Sequence, residues 1–310
     1  MSFVALPEQP WVAIGVFDGV HVGHRALLEH AQHHAGDGPV VALTFHPHPR
    51  VVLHGTDVAL LCPLPERLQL LLDAGATHVE VAPFDDRLRQ LSPEAFVEAW
   101  LVAHLDAVGV VVGENFRFGH GAAGDVELLR ALGQQRGFEV AVAPLVEIDG
   151  VPVSSSRVRQ LLQDDGDVAA AAALLGRWFS LAGTVVEGAR RGRTLNMPTA
   201  NLELAADQLL PTDGVYAGVA VTSDGARHGA AISVGTNPQF TPDGRRGVEV
   251  HLLDFNGGPD DLYDTPMRVD FRARIRGQLT FPGVDELVER MHHDLELIRA
   301  ELQPGPRADG

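Results

Sequence analysis

Two histidines three residues apart are the first feature of the sequence that could do chemistry. His21 and His24, with Gly23 between them, lie in the run GVFDGVHVGH, where a short apolar stretch passes into a helical pattern. Such a turn favours phosphate, because the amides and the dipole at a helix N-terminus attract an anion. Gly23 leaves the backbone open to a phosphate, and imidazoles can stabilise charge developing on it. The alternative, a pair of surface or capping histidines, is weakened by the apolar run that precedes them.

A second candidate phosphate contact is the run from Ser154 to Arg159, SSSRVR, which begins a helix. Three serines at a helix start offer hydroxyl and amide donors, and Arg159 offers a fork for phosphate oxygens. By itself the run is more typical of an ordinary N-cap with a surface arginine. Its weight comes from its occurrence together with the two histidines.

Both runs must be positioned by an alternation of apolar strands and helices in the first half of the chain. The predicted strands are Val12–Phe17, Val40–Phe45, His78–Phe84, Gly109–Gly113 and Phe138–Leu145. The predicted helices between them are His24–His34, Glu66–Asp73, Pro93–Leu105 and Asp125–Arg136. Strands without polar alternation that are separated by helices predict an α/β fold with a doubly wound parallel sheet. Such sheets bind ligands beyond the carboxyl ends of their strands.

The pattern changes near residue 180. Two helices, Ser154–Leu162 and Val168–Leu175, are followed by short β-type runs broken by Gly and Pro. These runs are Gly183–Glu187, Val215–Thr222, Ala230–Gly235, Val248–Phe255 and Met267–Ile275. They predict a small antiparallel β-barrel, followed by a terminal amphipathic helix over Val284–Leu302. Since 310 residues exceed one ordinary core, we predict two domains, residues 1–180 and 181–310.

Composition excludes several classes of function. A formal net charge of −17 makes the chain a poor non-specific binder of nucleic acid. No run approaches the roughly 20 apolar residues of a membrane span, and the single cysteine, Cys62, allows no intrachain disulfide. We therefore expect a cytoplasmic protein that binds neither nucleic acid nor membrane. Nothing in the pattern predicts an oligomeric state.

Two further clusters attract attention without deciding a function. His30, His33 and His34 have helical spacing that could bind a metal, but no carboxylate or cysteine pattern completes a zinc site. We therefore predict no structural metal there. A short basic run contains Arg190, Arg191 and Arg193. A solvated loop and a phosphate clamp are equally good interpretations of it.

Longer strings narrow the assignment. The strings GVFDGVHVGH, TFHPHP, VVGENFRFG, SSSRVR, PTANL, DGVYAG, ISVGTNP and VEVHLLDF occur in this order over about residues 11–295. The first half resembles the nucleotidyltransferase superfamily. The whole set, in its order and spacing, resembles the prokaryotic bifunctional riboflavin kinase/FMN adenylyltransferase family.

The resemblance implies that residues 1–180 transfer the adenylyl group of ATP to FMN, which gives FAD and pyrophosphate. His21, His24 and Arg159 would be catalytic residues of this step. The residues implied for ATP and its phosphates are Gly15, Phe17, Gly23, Ser154, Ser155 and Ser156. Those implied for the flavin and nucleotide pockets are His48, Asn115 and Phe116. Phe116 and Phe118 could stack on an aromatic ring, but core packing carries equal weight.

The resemblance also implies that residues 181–310 phosphorylate riboflavin to FMN with ATP. Glu249 would be the general base that takes the proton of the flavin 5′-hydroxyl. Thr199 and Asn201 would bind ATP phosphates and Mg²⁺, which prefers such oxygen ligands. On its pattern alone Glu249 would be an exposed strand residue, and the family match reverses that interpretation.

The second half departs from the family in several places. Asn196 and Met197 stand where Gly-Phe is usual, Gln239 where Thr is usual, and Asp264 where Gly is usual. One alternative is therefore an adenylyltransferase whose second half is a kinase-impaired regulatory module that binds flavin or nucleotide. Another is an acceptor other than FMN, such as a pantetheine or nicotinamide phosphate, although the barrel-like second half argues against it.

Overall fold

The computed structural model of the chain describes residues 6–55, 57–187, 199–236, 246–255, 257 and 259–303. Chain contacts divide it into an N-terminal unit, Met1–Ser155, and a C-terminal unit, Ser156–Gly310. Each unit has its own sheet.

A parallel sheet organises the N-terminal unit, as the sequence predicts. Its strands are β1 (Trp11–Ile14), β2 (Val40–His46), β3 (His78–Pro83), β4 (Gly109–Gly113) and β5 (Glu139–Ala143), in the order β3-β2-β1-β4-β5. A short hairpin of β6 (Glu147–Ile148) and β7 (Val151–Pro152) follows. Strand β1 ends at Ile14, before the predicted Phe17, and Phe17 itself has a positive φ of 55°, outside the range of extended backbone.

The α-helices described between these strands are α1 (Val22–Ala35), α2 (Pro49–His54), α3 (Leu64–Asp73), α4 (Asp86–Arg89), α5 (Pro93–Phe96) and α6 (Val126–Arg136). Helix α5 passes directly into a π-helical turn over Val97–Val102. The side chains of Asp85, Ser92 and Asp125 cap α4, α5 and α6 by accepting backbone N–H groups. Sequence reasoning missed α2 and α4, because one or two turns are too short to show a helical period.

Apolar residues cover both faces of the sheet. Val12 and Ile14 of β1 pack in one buried cluster with Val110 and Val112 of β4. The alternate residue Ala13 packs in a second cluster with Leu28 of helix α1. Neighbouring residues of a strand point to opposite faces of the sheet, and here both faces are buried against apolar side chains. This double burial explains why the strands lack polar alternation.

The C-terminal unit contains the predicted antiparallel barrel. Helices α7 (Ser155–Gln160, continued by a π-helical turn over Leu161–Asp165) and α8 (Val168–Leu175) precede it. The described strands are β8 (Ser180–Val186), β9 (Ala200–Glu203), β10 (Gly214–Val221), β11 (Arg227–Thr236), β12 (Arg246–Leu252) and β13 (Pro266–Arg276). They close in the order β10-β11-β12-β9-β8-β13. Strand β9 was not predicted, since only Leu202 of its four residues is strongly apolar.

A terminal helix, α9 (Val284–Leu302), completes the C-terminal unit as predicted. Its fully buried Ile298 packs with Ala217 of β10 and with Leu253. Each predicted layer of the two units is therefore present.

Gly109 provides a test of the packing between β1 and β4. A Cβ added at Gly109 would overlap the indole ring of Trp11, its direct partner in the ladder. Because Trp11 is only 8% exposed, its ring has little room to move. We expect Gly109→Ala to lower the free energy of unfolding by about 1–3 kcal/mol, the usual range for overpacking. Gly247→Ala, where an added Cβ meets open space, is the control in denaturant unfolding. Equal stability of the two variants would contradict the prediction.

Candidate functional site

The turn that follows β1 has strained backbone. Phe17, Gly19 and Val20 have φ angles of 55°, 82° and 39°. The N–H of Val20 donates to the carbonyl of Phe17 at 3.1 Å, which closes the turn. A positive φ is unusual for any residue except glycine and is an outlier for a β-branched residue such as Val20. Surrounding groups must therefore hold this turn in place.

His21 begins helix α1 as its N-cap. Its Nδ1 accepts the N–H of His24 at 3.3 Å, and its carbonyl oxygen accepts the same N–H at 2.8 Å. The capping alternative considered from the sequence is thus correct for Nδ1. A neutral imidazole that accepts at Nδ1 carries its proton on Nε2. His21 therefore has an N–H donor on the opposite side of its ring from the cap.

The two histidine rings stack on each other. Their centroids are 3.6 Å apart with an angle of 14° between the planes, and His21 is only 5% exposed. The ring of Phe17 meets His24 edge-on, with centroids 5.2 Å apart. A Cβ at Gly23 would lie 3.2 Å from the His21 ring, and one at Gly15 would lie 3.1 Å from the Phe17 ring. Because neither glycine has a Cβ, the rings of His21 and Phe17 can lie close to the backbone.

Asp18 ties the turn to two distant segments. Its carboxylate, 1% exposed, accepts the N–H of Leu61 at 3.0 Å and that of Cys62 at 3.4 Å. The N–H of Gly19 donates to the thiol sulfur of Cys62 at 3.2 Å. The hydroxyl of Ser155, at the start of α7, donates to the carbonyl of Asp18 at 2.8 Å. The SSS run and the histidine turn, predicted as separate phosphate contacts, therefore meet at Asp18.

The remaining residues of the serine run lie at the start of α7. Ser154 is half-buried and Ser156 is exposed. Arg159, also half-buried, lies four residues after Ser155, and that spacing gives the two residues the same face of the helix.

Flavin-pocket candidates follow the strands next to β1. Asn115 and Phe116 come directly after β4, and Asn115 is exposed. His48 comes after β2, is 7% exposed, and caps α2 by accepting the N–H of Arg50 at its Nδ1. Strands β2 and β4 flank β1, and the chain order reverses between β1 and β4. Ligands bind at such a switch point beyond the carboxyl ends of the strands, which is where these residues lie.

Phe116 and Phe118 differ in burial. The two rings stack with centroids 5.5 Å apart, but Phe118 is 7% exposed and belongs to the core cluster. Phe116 is half-buried at the edge of that cluster. The core-packing alternative therefore applies to Phe118, and Phe116 keeps an accessible side.

Strand register brings the candidate kinase residues together. Glu249 of β12 lies opposite Asn201 of β9 on one side and opposite Ser233 of β11 on the other. Directly opposite residues have Cβ atoms about 4.5–5.5 Å apart. The neighbours Ala200, Val248 and Val250 are buried, so this row lies on the opposite face of the barrel wall from them.

This row, together with Thr199 two residues before Asn201, offers the oxygen ligands of a divalent-cation site. Asn201 contributes an amide oxygen, Glu249 a carboxylate, and Thr199, which lies just before β9, a hydroxyl. Hard cations such as Mg²⁺ prefer oxygen ligands of these kinds. Among the described residues, no group of three or more His, Cys, Asp or Glu side chains could hold a metal.

Several sequence candidates fall elsewhere. Asn196, Met197, Gln239 and the three arginines Arg190, Arg191 and Arg193 lie outside the described residues. Asp264 has a positive φ of 59°, which explains why glycine is usual there and why aspartate, which tolerates this region, can replace it.

Among the three helical histidines, burial and the charges of His34 and His33 lower the pKa of His30. His34 stacks on Trp11 with ring centroids 4.7 Å apart.

Sequence reasoning missed Asp18, Thr44 and Arg67, which are all buried polar residues near the turn. Arg67 left one signal. It lies four residues before the buried Leu71 of α3, on the helix face that should be apolar. Asp18 and Thr44 left none, since each lies in a run that also suits an ordinary strand or turn.

Comparison with known proteins agrees with this geometry. A FAD synthetase family model matches residues 4–157, and a riboflavin kinase family model matches residues 175–302. The bifunctional riboflavin kinase/FMN adenylyltransferase of Escherichia coli strain K12 is 39% identical over 296 residues, which cover 94% of this chain and 92% of that protein. The chain belongs to the bifunctional riboflavin kinase/FMN adenylyltransferase family. The resemblance noted from the motifs is thereby confirmed.

Other members of this family are similar over the same span. The Pseudomonas fluorescens protein is 36% identical, with 94% of this chain and 92% of that protein covered. The Bacillus subtilis strain 168 protein is 32% identical, with 91% and 89% covered. The family consists of ATP-dependent kinases and adenylyltransferases, and this membership suggests that the chain uses a divalent metal ion.

A solved structure extends the comparison to the fold. A protein from Streptococcus pneumoniae, described as a macrolide-efflux protein, matches with a TM-score of 0.86 and 32% identity, and 96% of each chain is covered. Its name refers to efflux, whereas the described helices of this chain include none long and apolar enough to cross a membrane. The comparison supports the two-part α/β and barrel architecture.

The capping bond of His21 can be tested by stability. His21→Ala removes the acceptor for the His24 N–H, and loss of an N-cap typically costs about 1 kcal/mol. His21→Asn keeps an acceptor near the same position and should restore most of that loss. Denaturant unfolding followed by circular dichroism measures both, with His33→Ala, exposed on the same helix, as the control. Equal destabilisation by Ala and Asn would show that the cap contributes nothing.

Proposed function

We propose that this chain makes FMN and then FAD, by phosphorylating riboflavin in residues 181–310 and adenylylating FMN in residues 1–180. ATP is the donor in both steps. One observation supports the proposal: each half contains its own set of candidate reacting groups, the stacked His21 and His24 in one and Glu249 opposite Asn201 in the other. Each set falls within the family model that names the matching reaction.

In the adenylylation step, a phosphate oxygen of FMN attacks the α-phosphorus of ATP in line and the bond to pyrophosphate breaks. Catalysis of such a transfer rests on positioning and on neutralising charge. The Nε2–H of His21 and the ring of His24 stabilise the oxygens of the transferred group. Ser154, Ser155, Ser156 and Arg159 hold the β- and γ-phosphates, while Gly15, Phe17 and Gly23 shape the nucleotide side of the turn. His48, Asn115 and Phe116 bind the flavin.

In the phosphorylation step, Glu249 takes the proton of the riboflavin 5′-hydroxyl as that oxygen attacks the γ-phosphorus. The bond to ADP breaks and FMN is formed. An alcohol needs a positioned carboxylate for this proton transfer. Thr199 and Asn201 would hold Mg²⁺, which would supply positive charge to the ATP phosphates.

The ligands of the protein are therefore small molecules: ATP, riboflavin and FMN. The charge of −17 makes nucleic acid an unsuitable partner, and a single cysteine suits a reducing compartment. We propose a cytoplasmic location on that basis.

Product analysis tests the function directly. Purified protein incubated with riboflavin, ATP and Mg²⁺ should form FMN first and FAD later, as followed by chromatography over time. Supplied FMN should give FAD and pyrophosphate, and chelation of the metal should stop both steps. No FAD from FMN would reject the central claim. FAD from FMN without FMN from riboflavin would instead favour a regulatory second half. Turnover of phosphopantetheine or nicotinamide mononucleotide would favour a different acceptor.

Two variants, one in each half of the chain, test which half catalyses which step. His24→Ala should lower adenylylation by about 10²–10³-fold, since it removes a group that stabilises transition-state charge. Glu249→Gln should lower riboflavin phosphorylation by about 10²–10⁴-fold, since it removes the base. Each variant should keep the other activity, and rates from one preparation provide the internal control. Loss of both activities in either variant would mean misfolding or a wrong domain division.

A further inference from the structure

Arg67 is a fully buried cation in helix α3. Its side chain is 0% exposed, and the described residues place no carboxylate in salt-bridge contact with it. Two of its nitrogens, Nε and Nη2, have no hydrogen-bond partner among those residues. Buried arginine is ordinarily paired with a carboxylate and has its donors satisfied. Selection for stability alone would therefore not favour an arginine at this position.

The bonds that Arg67 does make converge on the start of the histidine turn. Nη1 donates to the carbonyl of Val16 at 2.9 Å and to that of Phe45 at 3.3 Å. The hydroxyl of Thr44 also donates to the Val16 carbonyl, at 2.9 Å. One guanidinium therefore joins the carboxyl ends of β1 and β2, and Val16 receives two donors just before the chain turns.

The residue after Val16 is the first in the histidine turn with strained backbone. Phe17 has φ 55°, and its ring meets the ring of His24, which in turn stacks on His21. The Val16 carbonyl shares its peptide plane with the Phe17 N–H, so its direction limits the conformation that Phe17 can take. A donor fixed on that carbonyl therefore acts on the two histidines through one rigid peptide and one aromatic contact.

We propose that Arg67 is a positioning residue for adenylyl transfer, one that fixes the Val16 carbonyl and thereby the stacked pair of His21 and His24. The inference rests on the proposed function of that pair. Burial of an unpaired guanidinium opposes folding, because its solvation is lost without a compensating charge. A positioning role explains why arginine occupies a site on α3 where the neighbouring buried residue of the same face is Leu71.

A purely structural role makes the opposite prediction about stability, which allows the two to be separated. Methionine has a similar length and no charge, so Arg67→Met removes both the desolvated cation and its donors. If Arg67 only supports the fold, this change should lower the thermal midpoint, and activity should fall with it. If Arg67 positions the turn, the midpoint should stay the same or rise while adenylylation falls.

The experiment compares Arg67→Met and Arg67→Lys with Arg130→Met, a matched change at an exposed arginine of the same unit. We expect Arg67→Met to lower kcat for FAD formation by about 10²-fold, the effect of a misplacement near 1 Å, with KM for FMN unchanged. Riboflavin phosphorylation should be retained, and Arg67→Lys should restore part of the rate. An unchanged kcat, a raised KM alone, or a joint loss of thermal midpoint and both activities would overturn the proposal.

A second readout does not depend on any substrate. The ring ¹H–¹⁵N signals of His21 and His24 can be assigned from spectra of His21→Asn and His24→Gln. We expect Arg67→Met to shift both sets of signals and Arg130→Met to shift neither. Wild-type protein that forms no FAD would reject the proposed function, whereas unshifted histidine signals would reject the role of Arg67. The two failures are therefore distinguishable.

Discussion

The backbone of the turn between β1 and α1 is the constraint on which the N-terminal unit depends. Phe17 and Val20 are held at positive φ, a conformation that costs on the order of 1–3 kcal/mol for each such residue. The hydrogen bonds made by Asp18 and Gly19 with Leu61 and Cys62 offset this strain. The turn is thus held by hydrogen bonds from distant segments of the chain.

That strained backbone determines how the candidate side chain of His21 is positioned. Because the chain turns sharply at Asp18 and Gly19, helix α1 starts one residue after His21, and Nδ1 of His21 serves as the cap. The cap orients the imidazole and assigns its proton to Nε2. The helix dipole adds positive potential at the same place, so the N-terminus of α1 suits an anion. One turn therefore determines where helix α1 begins, which nitrogen of His21 carries the proton, and where the positive potential of the helix lies.

The sheet and the barrel could be predicted from the sequence, because their strands carry local patterns of burial. The packing beneath the turn could not. Asp18 bonds to Leu61 across 43 residues, and Arg67 bonds to Val16 across 51. Such pairs leave no local period, since each partner is ordinary in its own segment. The motif approach found His21 and His24 but not the buried groups that hold them, and it found Asn201 without recognising that it lies on a strand.

The two halves position their proposed reacting groups by different means. In the N-terminal unit a strained turn does so, and in the C-terminal unit the register of β12 with β9 does. A slip of one residue in that pairing would turn Glu249 to the face now taken by the buried Val248 and Val250. The buried residues on either side of Glu249 oppose such a slip, because it would expose them and bury a carboxylate. The apolar alternation that suggests an ordinary exposed strand residue is therefore what keeps Glu249 opposite Asn201.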